Sequence, residues 1–186
     1  QFTSKYDYYL KGMVELTAQE ATGLELFNGK GLCSACHISE SEDMRPLFTD
    51  FTFDNLGTPK NPENPIYNQD PAYIDEGLGG FLKGVPEWAD LADANMGKHK
   101  VPTLRNVDMK PGRGFTKAYL HNGVFKSLKE VVHFYNTRDV EGMNWPAPEV
   151  AENVNDDELG NLGLTNEEED AIVAFMQTLS DGYVIK

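Results

Sequence analysis

The pentapeptide CSACH, residues 33–37, contains the only two cysteines of this 186-residue chain. Two cysteines separated by two residues and followed at once by a histidine fit three kinds of chemistry. They can form a redox dithiol, half of a zinc site, or the attachment point of a haem c. Each interpretation requires different surroundings, so the rest of the sequence is needed to compare them.

A helix is predicted immediately before this motif. Thr17 and Glu20 have the spacing of a capping box, in which each residue bonds the backbone N–H of the other. Phe27 supplies an apolar position, and Asn28-Gly29 is a typical helix end. We therefore expect CSACH to follow a capped helix.

Two further capping boxes predict helices near the end of the chain, one starting at Ser127 and one at Thr165. Their apolar residues recur at helical spacing: Leu128, Val131, Val132 and Tyr135 in the first, and Ile172, Phe175, Met176 and Leu179 in the second. His133 falls off the apolar face of the first helix. The last helix and the one before CSACH are expected to pack across each other.

Between these helices the chain is rich in loops, with many of its prolines and glycines in residues 38–105. Short helices are expected around residues 82–94, and no stretch has the sustained alternation of a long β-strand. A loop region of this length usually carries function or wraps around something.

The surroundings favour haem c over the other two interpretations. A thioredoxin-like dithiol needs a βαβ unit, which the sequence does not predict. A structural zinc site needs four ligands, and outside CSACH there are only three scattered histidines, His99, His121 and His133. Haem c uses every residue of the motif, since Cys33 and Cys36 would hold the porphyrin and His37 would bind its iron. Zinc and dithiol chemistry remain the alternatives.

The fold that we expect is all-α, a c-type cytochrome fold with long loop insertions. Residues 1–186 would form one domain with one covalent haem c. Its haem-binding core would comprise about residues 17–37 and 101–182, with the long loop region at 38–100.

Two segments, residues 22–59 and 101–136, resemble the haem-binding half of bacterial dihaem cytochrome c peroxidases and MauG-type enzymes. Within the second, PTLRNV at 102–107 and YLHNG at 119–123 are similar to the P-x-LRNV and aromatic-x-His-x-G motifs of that family. The last helix also resembles that of the family. The resemblance covers one haem domain, whereas the dihaem enzymes have a second CxxCH in a separate domain where peroxide reacts.

The resemblance also implies a second iron ligand. In the peroxidases the matching domain uses a methionine, and in MauG-type enzymes a tyrosine, fourteen residues after the motif histidine. Fourteen residues after His121 stands Tyr135. The alternative is Met143, which lies shortly before the last helix, where simple cytochromes often place a methionine ligand. The remaining candidates are Met96, Met109 and the other histidines.

Two more residues are expected near the haem. In the resembled family the motif histidine lies close to the haem, which implies that His121 orients an axial ligand. Arg105 is a candidate partner for a haem propionate, because guanidinium pairs well with carboxylate. For both, a loop residue with no haem contact is the structural alternative.

The formal net charge of −14 disfavours nucleic acid and anionic lipid as partners and favours a basic redox partner. No membrane span is predicted. Because haem c is attached outside the cytosol, a periplasmic or otherwise exported location is expected, with a signal peptide removed. The expected function is electron transfer by a monohaem cytochrome. The alternative is a peroxidase-like or MauG-like haem enzyme with tyrosine-ligated iron.

Overall fold

The computed structural model describes residues 2–43, 45–110, 112, 115 and 117–185. In this structure the helix before CSACH, α2 (Ala18–Asn28), begins and ends where the sequence predicts. The Thr17 hydroxyl accepts from the Glu20 N–H at 3.3 Å, and the Glu20 carboxylate accepts from the Thr17 N–H at 2.7 Å. The predicted capping box is therefore confirmed.

The two later helices are also confirmed, as α4 (Leu128–Thr137) and α5 (Asn166–Gln177). Thr165 and Glu168 form a reciprocal capping box at the start of α5. At the start of α4 the Ser127 hydroxyl accepts from the Glu130 N–H. The Glu130 carboxylate accepts from the Ser127 hydroxyl and from the backbone N–H of Lys126, but not from the backbone N–H of Ser127. The second half of that predicted box is thus displaced by one residue.

A short helix, α1 (Lys5–Leu10), was not predicted. It begins with a capping box in which the Ser4 N–H and hydroxyl both donate to the Asp7 carboxylate, at 2.8 and 2.6 Å. Six residues are too few for a periodic apolar pattern to stand out, so the S-x-x-D spacing was the only available signal.

The long loop region contains several short elements. A helix α3 (Gly77–Lys83) is followed by 3₁₀ turns at Pro86–Leu91 and Asp93–Asn95, which confirms the short helices expected near residues 82–94. Two short strands, β1 (Phe53–Asp54) and β2 (His99–Lys100), pair antiparallel with Asp54 opposite His99. The fold is thus helix-dominated with a small β component, and the strict all-α description is too simple.

Helices α2 and α5 cross at Gly23, as expected from the sequence. A Cβ atom at Gly23 would lie 1.9 Å from the carbonyl oxygen of Ala171, so the two backbones touch. Around the crossing, aromatic rings pack edge to face, for example Phe27 on Phe175 with ring centroids 5.1 Å apart. Another fully buried ring, Phe48, comes from the loop after CSACH and connects that loop to the helical core.

No helix in the described part of the chain is both long enough and apolar enough to cross a lipid bilayer.

Candidate functional site

A cavity of about 510 Å³ lies between the CSACH segment and the helices. Most of its wall is apolar, and this volume is within the range of cofactor and ligand sites. Helix α4 contributes Leu128, Val131, Val132 and Tyr135, which are the four residues of its predicted apolar face. Cys33, Cys36 and His37 line the same space, so the structure brings together the motif and the predicted helix face.

His37 is held in a defined orientation at the cavity wall. Its Nδ1 lies 2.8 Å from the backbone oxygen of Phe48. Because a carbonyl oxygen can only accept, Nδ1 carries the hydrogen, and Nε2 is the nitrogen with a free lone pair. Burial lowers the pKa of His37 and keeps the ring neutral, although the Phe48 carbonyl opposes this effect. A neutral imidazole fixed through its other nitrogen is suited to bind a metal.

Cys33 and Cys36 are both free thiols in the structure. The pKa of each is raised to about 12, mainly by burial and for Cys36 also by the neighbouring carboxylates of Glu158 and Asp54. Reactive dithiols instead need a lowered pKa, because the thiolate is the nucleophile. The environment therefore disfavours the dithiol interpretation and suits a cysteine sulfur that becomes a neutral thioether.

The zinc interpretation also finds little support. Near CSACH, the donor atoms that approach one another within 4.8 Å belong to Cys36, Asp54 and Glu158. This set does not include Cys33 or His37, although a zinc site built on the motif would use both. The motif residues line a cofactor-sized space and do not converge on one point.

Tyr135 offers a hydroxyl group to the same cavity. Burial raises its pKa, and nearby Cys33 and Cys36 add to the effect. Among the residues that the structure describes, this hydroxyl has no hydrogen-bond partner, whereas the cavity-lining Tyr119 donates to the backbone oxygen of Val107 at 3.2 Å. A desolvated polar group without a partner is costly, so a group bound in the cavity would stabilise it.

Met143, the alternative ligand, lies outside the cavity lining and its residue is 38% exposed. It follows a turn in which its N–H donates to the carbonyl oxygen of Val140, and this turn keeps it away from the site. Of the methionines that the structure describes, only Met176 lines the cavity, from the buried face of α5. The structure therefore brings Tyr135, and not Met143, to the site.

Arg105 is not placed where the sequence analysis expected it. Its guanidinium donates to the Asp7 carboxylate at 2.6 Å and to the backbone oxygen of Pro46 at 3.2 Å, and it covers the ring of Phe2. It does not line the cavity, although Thr103 and Leu104 just before it do. The guanidinium thus pairs with a buried carboxylate from the unpredicted helix α1, and a bond from Arg105 to a haem propionate stays a prediction.

His121 lines the cavity, as expected, but it is not alone there. Its ring stacks on that of His99, with centroids 3.6 Å apart and planes within 5°. Burial lowers the pKa of His99, and His121 lowers it further. The sequence analysis noted His99 only as a scattered histidine, because nothing in its local pattern connects it with a residue 22 positions later.

Known proteins similar to this chain in sequence are MauG and cytochrome-c peroxidases. The chain is 34% identical to the methylamine utilization protein MauG of Paracoccus denitrificans, over 97% of this chain and 47% of MauG. It is 33% identical to the cytochrome-c peroxidase IdrP2 of Denitromonas iodatirespirans, over 94% of this chain and 43% of that protein. The chain is a homologue of MauG and the bacterial cytochrome-c peroxidases. The sequence-based resemblance to a haem domain of that family is thereby confirmed.

Comparison of the fold with solved structures also finds a dihaem peroxidase. The structure of the dihaem peroxidase BthA from Burkholderia thailandensis superimposes with a TM-score of 0.77 and 31% identity, covering 97% of this chain and 46% of BthA. No model of a known protein family matches the chain. The chain spans slightly less than half the length of these homologues, so it corresponds to one part of them.

Proposed function

We propose that this chain is a haem domain of a peroxidase-like or MauG-like oxidoreductase, with one covalently bound haem c. The observation that carries the proposal is the cavity, because Cys33, Cys36, His37 and the unpartnered hydroxyl of Tyr135 all line it. Bound haem iron would supply one-electron redox chemistry. The residues of the chain would hold, orient and shield it.

On one side, His37 would bind the iron through Nε2. The hydrogen bond from Nδ1 to Phe48 fixes the plane of the ring and increases the basicity of Nε2. The thioether bonds of Cys33 and Cys36 would keep the porphyrin next to this imidazole. Phe48 itself is fully buried in the aromatic core, so the carbonyl that orients His37 is rigidly held.

Tyr135 would be the second protein ligand. Its place on α4 next to Val131 and Val132 presents the phenol to a mostly apolar space. A phenolate ligand stabilises ferric over ferrous iron, whereas a methionine thioether does the opposite. The proposed site is therefore a low-potential haem, which differs from an ordinary electron carrier.

The homologues support the enzyme interpretation better than the monohaem electron carrier that we first expected, since they are MauG and peroxidases. We infer that this domain works with a second redox centre, in the same polypeptide or in a partner. The net charge of −14 favours a partner with a basic face. Attachment of haem c outside the cytosol implies a periplasmic or otherwise exported protein.

Two measurements on the haem-loaded protein would test this function. Ascorbate, a mild reductant, is expected to leave most of the iron ferric, because a phenolate ligand stabilises Fe(III). Full reduction by ascorbate would refute the proposal and restore the electron-carrier interpretation. A Cys33→Ala, Cys36→Ala double variant should release its haem into acidified organic solvent, unlike the wild type.

A further inference from the structure

We propose that His99, His121, Asp75 and Glu149 form a second metal site, for a divalent transition-metal ion such as Zn²⁺, at the wall of the haem cavity. These residues come from four separate segments of the chain. Donor atoms of Asp75, His99 and His121 all lie within 4.8 Å of one another. Two imidazoles with carboxylates are a common ligand set for Zn²⁺ and its neighbours in the first transition series.

The distance between His121 and Glu149 matches that between two ligands of one ion. The Nε2 of His121 lies 3.6 Å from the Oε2 of Glu149, which is too long for a good hydrogen bond. Two ligands at about 2.1 Å from a tetrahedral zinc lie about 3.4 Å from each other. The rings of His99 and His121 are stacked in nearly parallel planes, so one imidazole must turn about its Cβ–Cγ bond to direct its lone pair at the same ion.

Several polar atoms at this place lack hydrogen-bond partners, although the Oε1 of Glu149 accepts from the Tyr67 hydroxyl at 3.1 Å. The Oε2 of Glu149 is fully buried without a hydrogen bond, on a side chain that is only 3% exposed. In the described part of the chain, neither imidazole has a hydrogen bond, and no lysine or arginine pairs with Asp75 or Glu149. A divalent cation would bind the free imidazole nitrogens and neutralise the two carboxylates together.

The surrounding backbone holds the donors in place. The Asp75 carboxylate accepts from the Gly77 N–H at 3.0 Å, and the Asp75 N–H donates to the Oε1 of Glu149 at 3.2 Å. Gly77 has φ +57°, and a Cβ there would lie 3.2 Å from the Nε2 of His99. The loop that carries Asp75 thus lies directly against the ring of His99.

Zinc binding to the holoprotein, after dialysis against a chelator, tests this proposal. Isothermal titration with ZnCl₂, checked by metal content after gel filtration, is expected to give one tight site per chain. His99→Phe keeps a flat ring but removes both nitrogens, and should weaken zinc binding by about 100-fold or more. Such a loss is larger than that usually caused by removing a residue that only hydrogen-bonds a metal ligand. The control His133→Phe changes a histidine that bonds Glu169 elsewhere, and should bind zinc as the wild type does.

If His99→Phe folds poorly, Asp75→Asn replaces it, because an amide oxygen can still accept from Gly77 while the charge is lost. This variant should bind zinc roughly tenfold more weakly or worse. Absence of stoichiometric zinc binding in the wild type, or equal affinity in wild type and His99→Phe, would overturn the proposal. Those results would not affect the proposed haem ligands, since the readout is zinc and not the haem spectrum.

Discussion

Replacing Gly23 by alanine should drive apart the two helices that frame the haem cavity. The new Cβ would lie 1.9 Å from the backbone oxygen of Ala171 and 2.9 Å from the Cβ of Phe175. Both are atoms that no side-chain rotation can move. To reach ordinary contact distances, α2 and α5 must separate by about 1.5 Å.

The net cost follows from two opposing effects. Alanine favours a helix over glycine by about 1 kcal/mol. Overpacking typically costs about 1–3 kcal/mol, and a clash between two backbones belongs at or above the upper end of this range. We therefore expect a net loss of about 2–3 kcal/mol in the free energy of unfolding, which lowers Tm by roughly 5–10 °C in a chain of this size.

Thermal and guanidinium denaturation of the holoprotein would measure this loss. Gly84→Ala is the matched control, since its Cβ would meet only a carbonyl oxygen at an ordinary 3.4 Å, and its φ of −83° suits any residue. This control should change stability by less than about 0.5 kcal/mol. Equal stability of Gly23→Ala and Gly84→Ala would show that the helices do not touch as described.

Three further predictions concern charge. Arg105→Gln should lower the free energy of unfolding by about 3–4 kcal/mol, because it leaves the buried carboxylate of Asp7 unpaired, but it should not alter the haem spectrum. Burial alone would raise the pKa of Glu169, but hydrogen bonds from neighbouring side chains lower this pKa overall. The ionised carboxylate therefore stabilises the fold above about pH 4.3, and this stabilisation is lost as the pH falls further. In melting curves between pH 5 and 3, the wild type should therefore lose stability more steeply than Glu169→Gln. Stopped-flow reduction by a cationic complex should slow as salt is added, and reduction by an anionic one should accelerate, because the net charge is −14.

The parts of the fold that depend on local pattern were predictable. Capping residues such as Thr17 and Thr165 marked helix starts because each bond connects residues three apart. The spacing of Val131, Val132 and Tyr135 placed a tyrosine on the face that lines the cavity. These features need no knowledge of distant contacts.

The parts that depend on long-range contacts were not predictable. The carbonyl of Phe48 orients His37, and the carboxylate of Asp7 pairs with Arg105, yet no local pattern indicates either of these long-range contacts. His99 and His121 meet only because β2 pairs with β1 and a turn brings the second histidine back. For Arg105, the local motif was recognised, but the competing buried acid could be seen only in three dimensions.

The proposal that Tyr135 binds the haem iron is tested most directly by the ferric absorption spectrum of the haem-loaded protein. The spectra to compare are those of the wild type, Tyr135→Phe and the control Tyr119→Phe. Tyr119 also lines the cavity, but its hydroxyl already bonds a backbone oxygen. With Tyr135 bound to the iron, Tyr135→Phe should change the spectrum while Tyr119→Phe leaves it as in the wild type. A sulfur-to-iron charge-transfer band in the wild type, or an unchanged spectrum in Tyr135→Phe, would contradict the account.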